Sequence, residues 1–134
     1  MFKEGAANTP MKEFAFPGPN ETKGYELFPK YLENDPLVLF HGTAKKNLES
    51  ILKDGFKAFP PLSSVSYAKS SVYCLTHLCP NGASQEDNVV IAVRFETLKA
   101  QGIQENNSDI HVYKSDLQPQ IIGYCTVPLS YRHI

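Results

Sequence analysis

The stretch Leu37-Val38-Leu39-Phe40-His41-Gly42-Thr43, followed by Leu48, Ile51, Leu52 and Asp54-Gly55, constrains this chain more than any other. Asp35-Pro36 breaks the chain just before it, so Leu37–Phe40 reads as a short strand. Leu48, Ile51 and Leu52 fall at i, i+3 and i+4, one apolar stripe of an amphipathic helix. Thr43 or Asn47 can cap that helix, and Asp54-Gly55 ends it. His41 is therefore expected where a strand ends and a helix is about to begin. A side chain held there by rigid elements faces a cleft, a common place for a binding residue.

The remaining segments are shorter and more broken. Residues 1 to about 23 carry Pro10, Pro17, Pro19, Gly5 and Gly18 and read as an irregular arm. Over residues 24 to 34, Tyr25, Phe28, Tyr31 and Leu32 share a helical face that Pro29 interrupts. The valine-rich run Asn88 to Phe95 reads as a buried strand. Asp109 to Tyr113 and Ile121 to Val127 read as two more, punctuated by Pro119 and Pro128. Many short strands with one or two helices imply an α+β domain made of two small packed sheets. At 134 residues one domain is the default. It is placed at 36–134, with 1–35 as an N-terminal arm bearing a short helix that packs on it or extends it.

Composition removes several classes. A formal net charge of −1 with 20% charged residues does not describe a nucleic-acid binder held by bulk charge. No apolar run approaches the roughly 18 residues of a membrane helix, and Met1-Phe2-Lys3-Glu4-Gly5 has no signal-peptide core. The expectation is a monomer with no membrane partner, either cytoplasmic or nuclear or delivered into another cell as an effector. Cys74, Cys79 and Cys125 leave an odd count, read as reduced and partly buried thiols; a Cys74–Cys79 disulfide is the alternative in a secreted chain. His77 lies near Cys74 and Cys79 in sequence, but no fourth ligand presents itself, so no metal is expected.

His41, Gly42, Thr43, Asn47, Ile51, Leu52, Gly55, Phe56, Lys57, Pro60 and Pro61 together form a family-like pattern. It resembles the start of the catalytic domain of the poly(ADP-ribose) polymerases and related ADP-ribosyltransferases. That family carries His-Gly-Ser/Thr, an Asn, an Ile-Leu pair, Gly-Leu-Arg and often Pro-Pro. Its next strand ends in Tyr-Phe-Ala, and a helix with Lys-Ser and Tyr-Cys follows. Tyr67, Lys69-Ser70 and Tyr73-Cys74 match that segment in one register. In a second register Ser71–Leu75 is itself the strand and Tyr73 the central tyrosine. A late family strand begins with a glutamate, and the corresponding run here is Ser108-Asp109-Ile110-His111-Val112-Tyr113.

The resemblance spans about residues 37 to 128. It implies an ADP-ribosyltransferase-like fold, two mostly antiparallel sheets with few short helices around a cleft for NAD. It implies catalytic roles for His41, Tyr67 and Asp109, and NAD contacts from His41, Gly42, Thr43, Asn47, Lys57, Tyr67, Ser70 and Tyr73. His41 would bond the ribose next to the adenine, and Lys57 would face the pyrophosphate as a point charge rather than a guanidinium fork. Tyr67 and Tyr73 would sandwich the nicotinamide, with Ser70 and the Gly42 backbone on its carboxamide. Asp109 would stabilise the oxocarbenium-like centre. It is one methylene shorter than glutamate, comparable to the ~1 Å misplacement that can cost about 10²-fold in rate. His111 shares its face by the two-residue period. The implied activity is mono-ADP-ribosylation of a protein, nucleic-acid or small-molecule acceptor with release of nicotinamide, NAD being the substrate. The alternatives are an inactive NAD- or protein-binding module and, last, an RNA 2'-phosphotransferase, for which Arg94 and Arg132 are not suitably placed.

Overall fold

The computed structural model describes residues 12–17, 26–58, 60–79 and 86–129. At its centre lies β4, Asn88–Arg94, in which Val89, Val90, Ile91, Ala92 and Val93 are all fully buried. An apolar run without alternation must be covered on both faces. The period of two then divides it: Val90 and Ala92 enter one core, and Val89, Ile91 and Val93 the other. β2 (Val38–Ala44) and β7 (Gln120–Val127) flank β4 antiparallel. β1 (Lys12–Phe14) adds parallel to β7. Beyond β2 follow β3 (Val65–Ala68), β6 (Asp109–Val112) and β5 (Ile103–Glu105). The result is a mixed seven-stranded sheet in the order β1-β7-β4-β2-β3-β6-β5.

Helices cover both faces. On one, α1 (Lys30–Glu33) and α3 (Ser71–Leu78) place Leu32, Cys74 and Leu75 against Phe40, Val90 and Cys125. On the other, α2 (Leu48–Asp54) packs Leu48 and Ile51 onto the core of Leu39, Phe56, Tyr67, Ile91 and Ile110. Gly55 ends α2 with φ +84°, a left-handed conformation that glycine reaches without a steric cost. The Glu33 carboxylate ties α1 to α3: it accepts from the Phe28 N–H at 3.2 Å, the Ser71 N–H at 3.4 Å and the Ser71 hydroxyl.

Several expectations are corrected. The described strands make one sheet, not two packed ones; yet the join between β2 and β3 is the single pair Phe40↔Ala68, so the sheet is nearly divided there. Part of the arm is ordered as β1, because Phe14 buries its ring against Phe28 at 5.2 Å. The helix over 24–34 shrinks to Lys30–Glu33, since Pro29 stands at its start. Tyr31 is 64% exposed and does not share the face of Leu32; Tyr25 lies outside the described residues. Leu52, 46% exposed, falls off the α2 stripe. A 3₁₀ turn, Lys45–Asn47, precedes α2, and Asn47 bonds Thr43 Oγ1 at 2.9 Å instead of capping through its side chain. β5 was not expected. Among the described residues, no helix is long and apolar enough to cross a membrane.

Candidate functional site

β2 does not stop at Phe40. It continues through His41 to Ala44, because its other edge stays paired with β4 from Val38↔Arg94 to Ala44↔Asn88. On the β3 side the register holds only Phe40↔Ala68, so Gly42 has no partner on β3. The two strands open there as a fork. His41 lies within a strand at the mouth of this fork, not at a strand end.

The imidazole of His41 spans the gap. Its Nδ1 lies 2.8 Å from the Ser66 carbonyl oxygen. A carbonyl only accepts, so Nδ1 carries the hydrogen and donates it, and Nε2 is left as an acceptor. Phe56 and Tyr67 pack around the ring, with centroids at 5.1 and 5.6 Å. Burial holds the His41 pKa below the ordinary histidine value; the Ser66 carbonyl opposes that shift and the charge of His77 adds to it. Neutral imidazole is thus the favoured form at neutral pH.

Gly42 lies under α3. A Cβ added there would meet Leu78 Cδ1 at 3.0 Å and Cys74 Cβ at 3.2 Å, so the close approach of helix and strand depends on the missing side chain. The strand Val65–Ala68 followed by the helix Ser71–Leu78 corresponds to the first of the two registers considered for Tyr67 and Tyr73. Ser70 stands at the N-terminal boundary of α3 and makes no side-chain cap bond.

The two tyrosines do not form a sandwich. Tyr67 is 2% exposed and belongs to the core beneath α2, against Phe56 and Phe95 at 5.4 and 5.2 Å. Tyr73 stands 52% exposed on α3, across the sheet. Lys57 joins Tyr67, Val112 and Lys114 in lining a cavity of about 360 Å³ on the α2 side. A larger cavity of about 540 Å³, lined by Arg94, Phe95, Asp116 and Gln118, holds none of the residues expected to contact NAD or act in catalysis. Its Arg94 is paired with Asp35 at 2.7 Å. Arg132 lies outside the described residues.

Asp109 belongs to the opposite face from Tyr67. On β6, Ile110 and Val112 point into the α2-side core, so Asp109 and His111 project toward the α3 side. Across the ladder Asp109 pairs with Ala68, and His111 with Ser66. Asp109 Oδ1 accepts from Asn106 Nδ2 at 2.9 Å, and its Oδ2 lies 3.2 Å from His111 Nε2. Ser64 Oγ lies 3.1 Å from His111 Nδ1. Ser64 and Ser66 were not singled out in the sequence. The signal available for them was strand phase: residues two apart from Ala68 must share its face.

Burial raises the pKa of all three thiols. Cys74, Cys79 and Cys125 are buried and free. Burial pushes the Cys74 and Cys125 thiols up to about 12, so neither supplies a thiolate near neutral pH. Among the described residues no three His, Cys, Asp or Glu side chains are grouped so as to hold a metal ion.

No protein-family model matches the chain. No curated protein matches it either.

Proposed function

We propose that the chain binds NAD at the β2–β3 fork and transfers single ADP-ribose units to an acceptor, releasing nicotinamide. The observation that carries this reading is the fork itself: His41 is pinned by the Ser66 carbonyl, and Gly42 has no β3 partner. An unpaired strand segment offers backbone groups to a carboxamide. The neutral His41 Nε2 accepts a hydrogen bond from a ribose hydroxyl. The row Phe40–Ala68–Asp109 supports the same reading, since it runs from β2 to β6 and sets an acid one strand beyond the fork.

The reading changes in one respect from its sequence form. Ala68 faces the α3 side, and so does Ser66 two residues earlier. If Ala68 stands for the family's alanine in Tyr-Phe-Ala, Ser66 stands for the tyrosine and Tyr67 for the buried phenylalanine. Stacking on the nicotinamide then comes from Tyr73 alone, and Tyr67 supports the site through the His41 ring. Lys57, on the α2 side, is left to bind phosphate only where NAD wraps past that edge.

Purified protein incubated with NAD is expected to release nicotinamide, measured by chromatography, and His41→Ala is expected to abolish the release. Absence of both release and NAD binding, in the presence of a cell lysate as acceptor source, refutes the reading. A second reading is favoured by one observation: Asp109 already accepts from Asn106 and has His111 Nε2 3.2 Å away. In that reading the fold binds NAD without turnover, which calorimetry with NAD distinguishes by a binding isotherm and no nicotinamide.

A further inference from the structure

We infer that Ser64, His111 and Asp109 form a nucleophilic serine site able to take small activated acyl esters. This goes beyond the NAD reading, which uses neither Ser64 nor His111. Asp109 and His111 stand two apart on β6 and project to one face. The register sets Ser66 opposite His111, and Ser64, the residue before β3, lies diagonally from His111 on the same face. Ser64 Oγ lies within hydrogen-bond distance of His111 Nδ1 at 3.1 Å, and His111 Nε2 lies 3.2 Å from Asp109 Oδ2. Asn106 Nδ2 holds the other carboxylate oxygen at 2.9 Å.

In the neutral ring, the carboxylate beside Nε2 selects one tautomer. A carboxylate only accepts, so Nε2 carries the hydrogen and Nδ1 is free to take the serine proton. A nucleophile within about 2.6–3.2 Å of a base, with the base oriented by a third group, is the geometric mark of an activated serine. Such constellations are recognised by geometry and roles, not by order in the chain. Here β6 holds His111 and Asp109, and Ser64 stands at the entry of the adjacent β3. The His111 and Asp109 side chains are 30% and 41% exposed and Ser64 is half-buried, so a small acyl group reaches the hydroxyl.

The step balances without a further reactant. Ser64 Oγ bonds the acyl carbon, and its proton passes to His111 Nδ1. The carbon–oxygen bond to the alcohol breaks, and the alkoxide leaves with that proton. Water then attacks the acyl carbon, gives a proton to His111, and the acid departs as Ser64 Oγ regains its hydrogen. Asp109 acts here as a positioning residue.

The test uses the full chain without NAD, so that its outcome is separate from that of the NAD reading. A fluorophosphonate probe and 4-nitrophenyl acetate are the reagents. Mass spectrometry is expected to place the phosphonyl adduct on Ser64, and Ser64→Ala to remove it. His111→Ala is expected to slow labelling about 10²-fold, with partial restoration by added imidazole, which a purely structural histidine would not give. Asp109→Glu is expected to retain labelling that Asp109→Asn loses. His111→Gln keeps hydrogen-bonding groups near Ser64 but cannot take a proton near neutral pH. An unlabelled Ser64, or labelling of His111→Gln at the wild-type rate, overturns the inference.

Discussion

Strands β1, β7, β4 and β2 are joined by ladders of three to seven pairs, with one register shift at Ala92/Val93, whereas β3, β6 and β5 hang from them by the single pair Phe40↔Ala68. The first group surrounds a strand whose central residues are fully buried on both faces. The second buries Tyr67, Ile110 and Val112 toward α2 and turns Ser66, Asp109 and His111 to the opposite face. The polar chemistry collects in the thin half and at its seam. Rigid packing on one side and freed backbone on the other is the arrangement a binding site needs.

This contrast is breakable. The largest effect is expected from Ile91→Ala, at the centre of β4 and fully buried. Deleting such a side chain costs about 2–5 kcal/mol through lost transfer energy and the cavity left behind. Urea unfolding measures it, and a loss below about 1 kcal/mol would mean that β4 is not the packed centre. Next comes Gly123→Ala on β7. A Cβ there would meet the Lys12 carbonyl oxygen and Phe14 Cε2, each at 2.6 Å, so β1 must shift or leave. Overpacking of this kind costs about 1–3 kcal/mol; thermal unfolding reads it, and an unchanged midpoint would detach β1 from the structure. Hydrogen exchange sharpens the comparison without mutation. Amides of β4 and β2 are expected to exchange only through global unfolding, those of β5 and β6 through local opening; equal protection would show one cooperative sheet.

Two titrations give the smallest effects, with opposite signs. Burial lowers the pKa of His41. A depressed histidine contributes stability that is present above the unfolded value of about 6.5 and is lost as pH falls through the lower folded value. His41→Gln is expected to flatten that acid limb in denaturant titrations. Burial raises the pKa of Glu33, against the hydrogen bonds from Ser71 and Phe28. A raised carboxyl contributes stability that is present below the unfolded value and is lost as pH rises through the folded one. The advantage of wild type over Glu33→Gln should therefore shrink between pH 4.5 and pH 7.5; a growing advantage would contradict the burial of α1 against α3.

The elements with local causes were legible. Asn88–Arg94 has the unbroken apolar run of a buried strand, Gly55 stops α2, and Leu48 with Ile51 forms its packed stripe. The arrangement of the proposed site residues was not legible. His41, Gly42, Tyr67 and Asp109 do lie on neighbouring strands of one region. The extension of β2 past His41 was missed because it depends on β4, fifty positions later in the chain at Ile91. β1 was missed because three residues in a proline-rich arm carry no periodic signal, and only the surface of β7 makes a strand of them.

Alone, the sequence determined what has a cause within a few residues: which runs are apolar, where helices stop, and which neighbours must alternate in direction. The tertiary structure decided which alternate face meets which layer. It put Tyr67 beneath α2 and Asp109 on the α3 side, although both were read as parts of one pocket. The physical reason is that a period of two states only that adjacent side chains oppose each other. Which of them is inside depends on the register with a partner strand and on the helix that packs there, and neither is written near the residue itself.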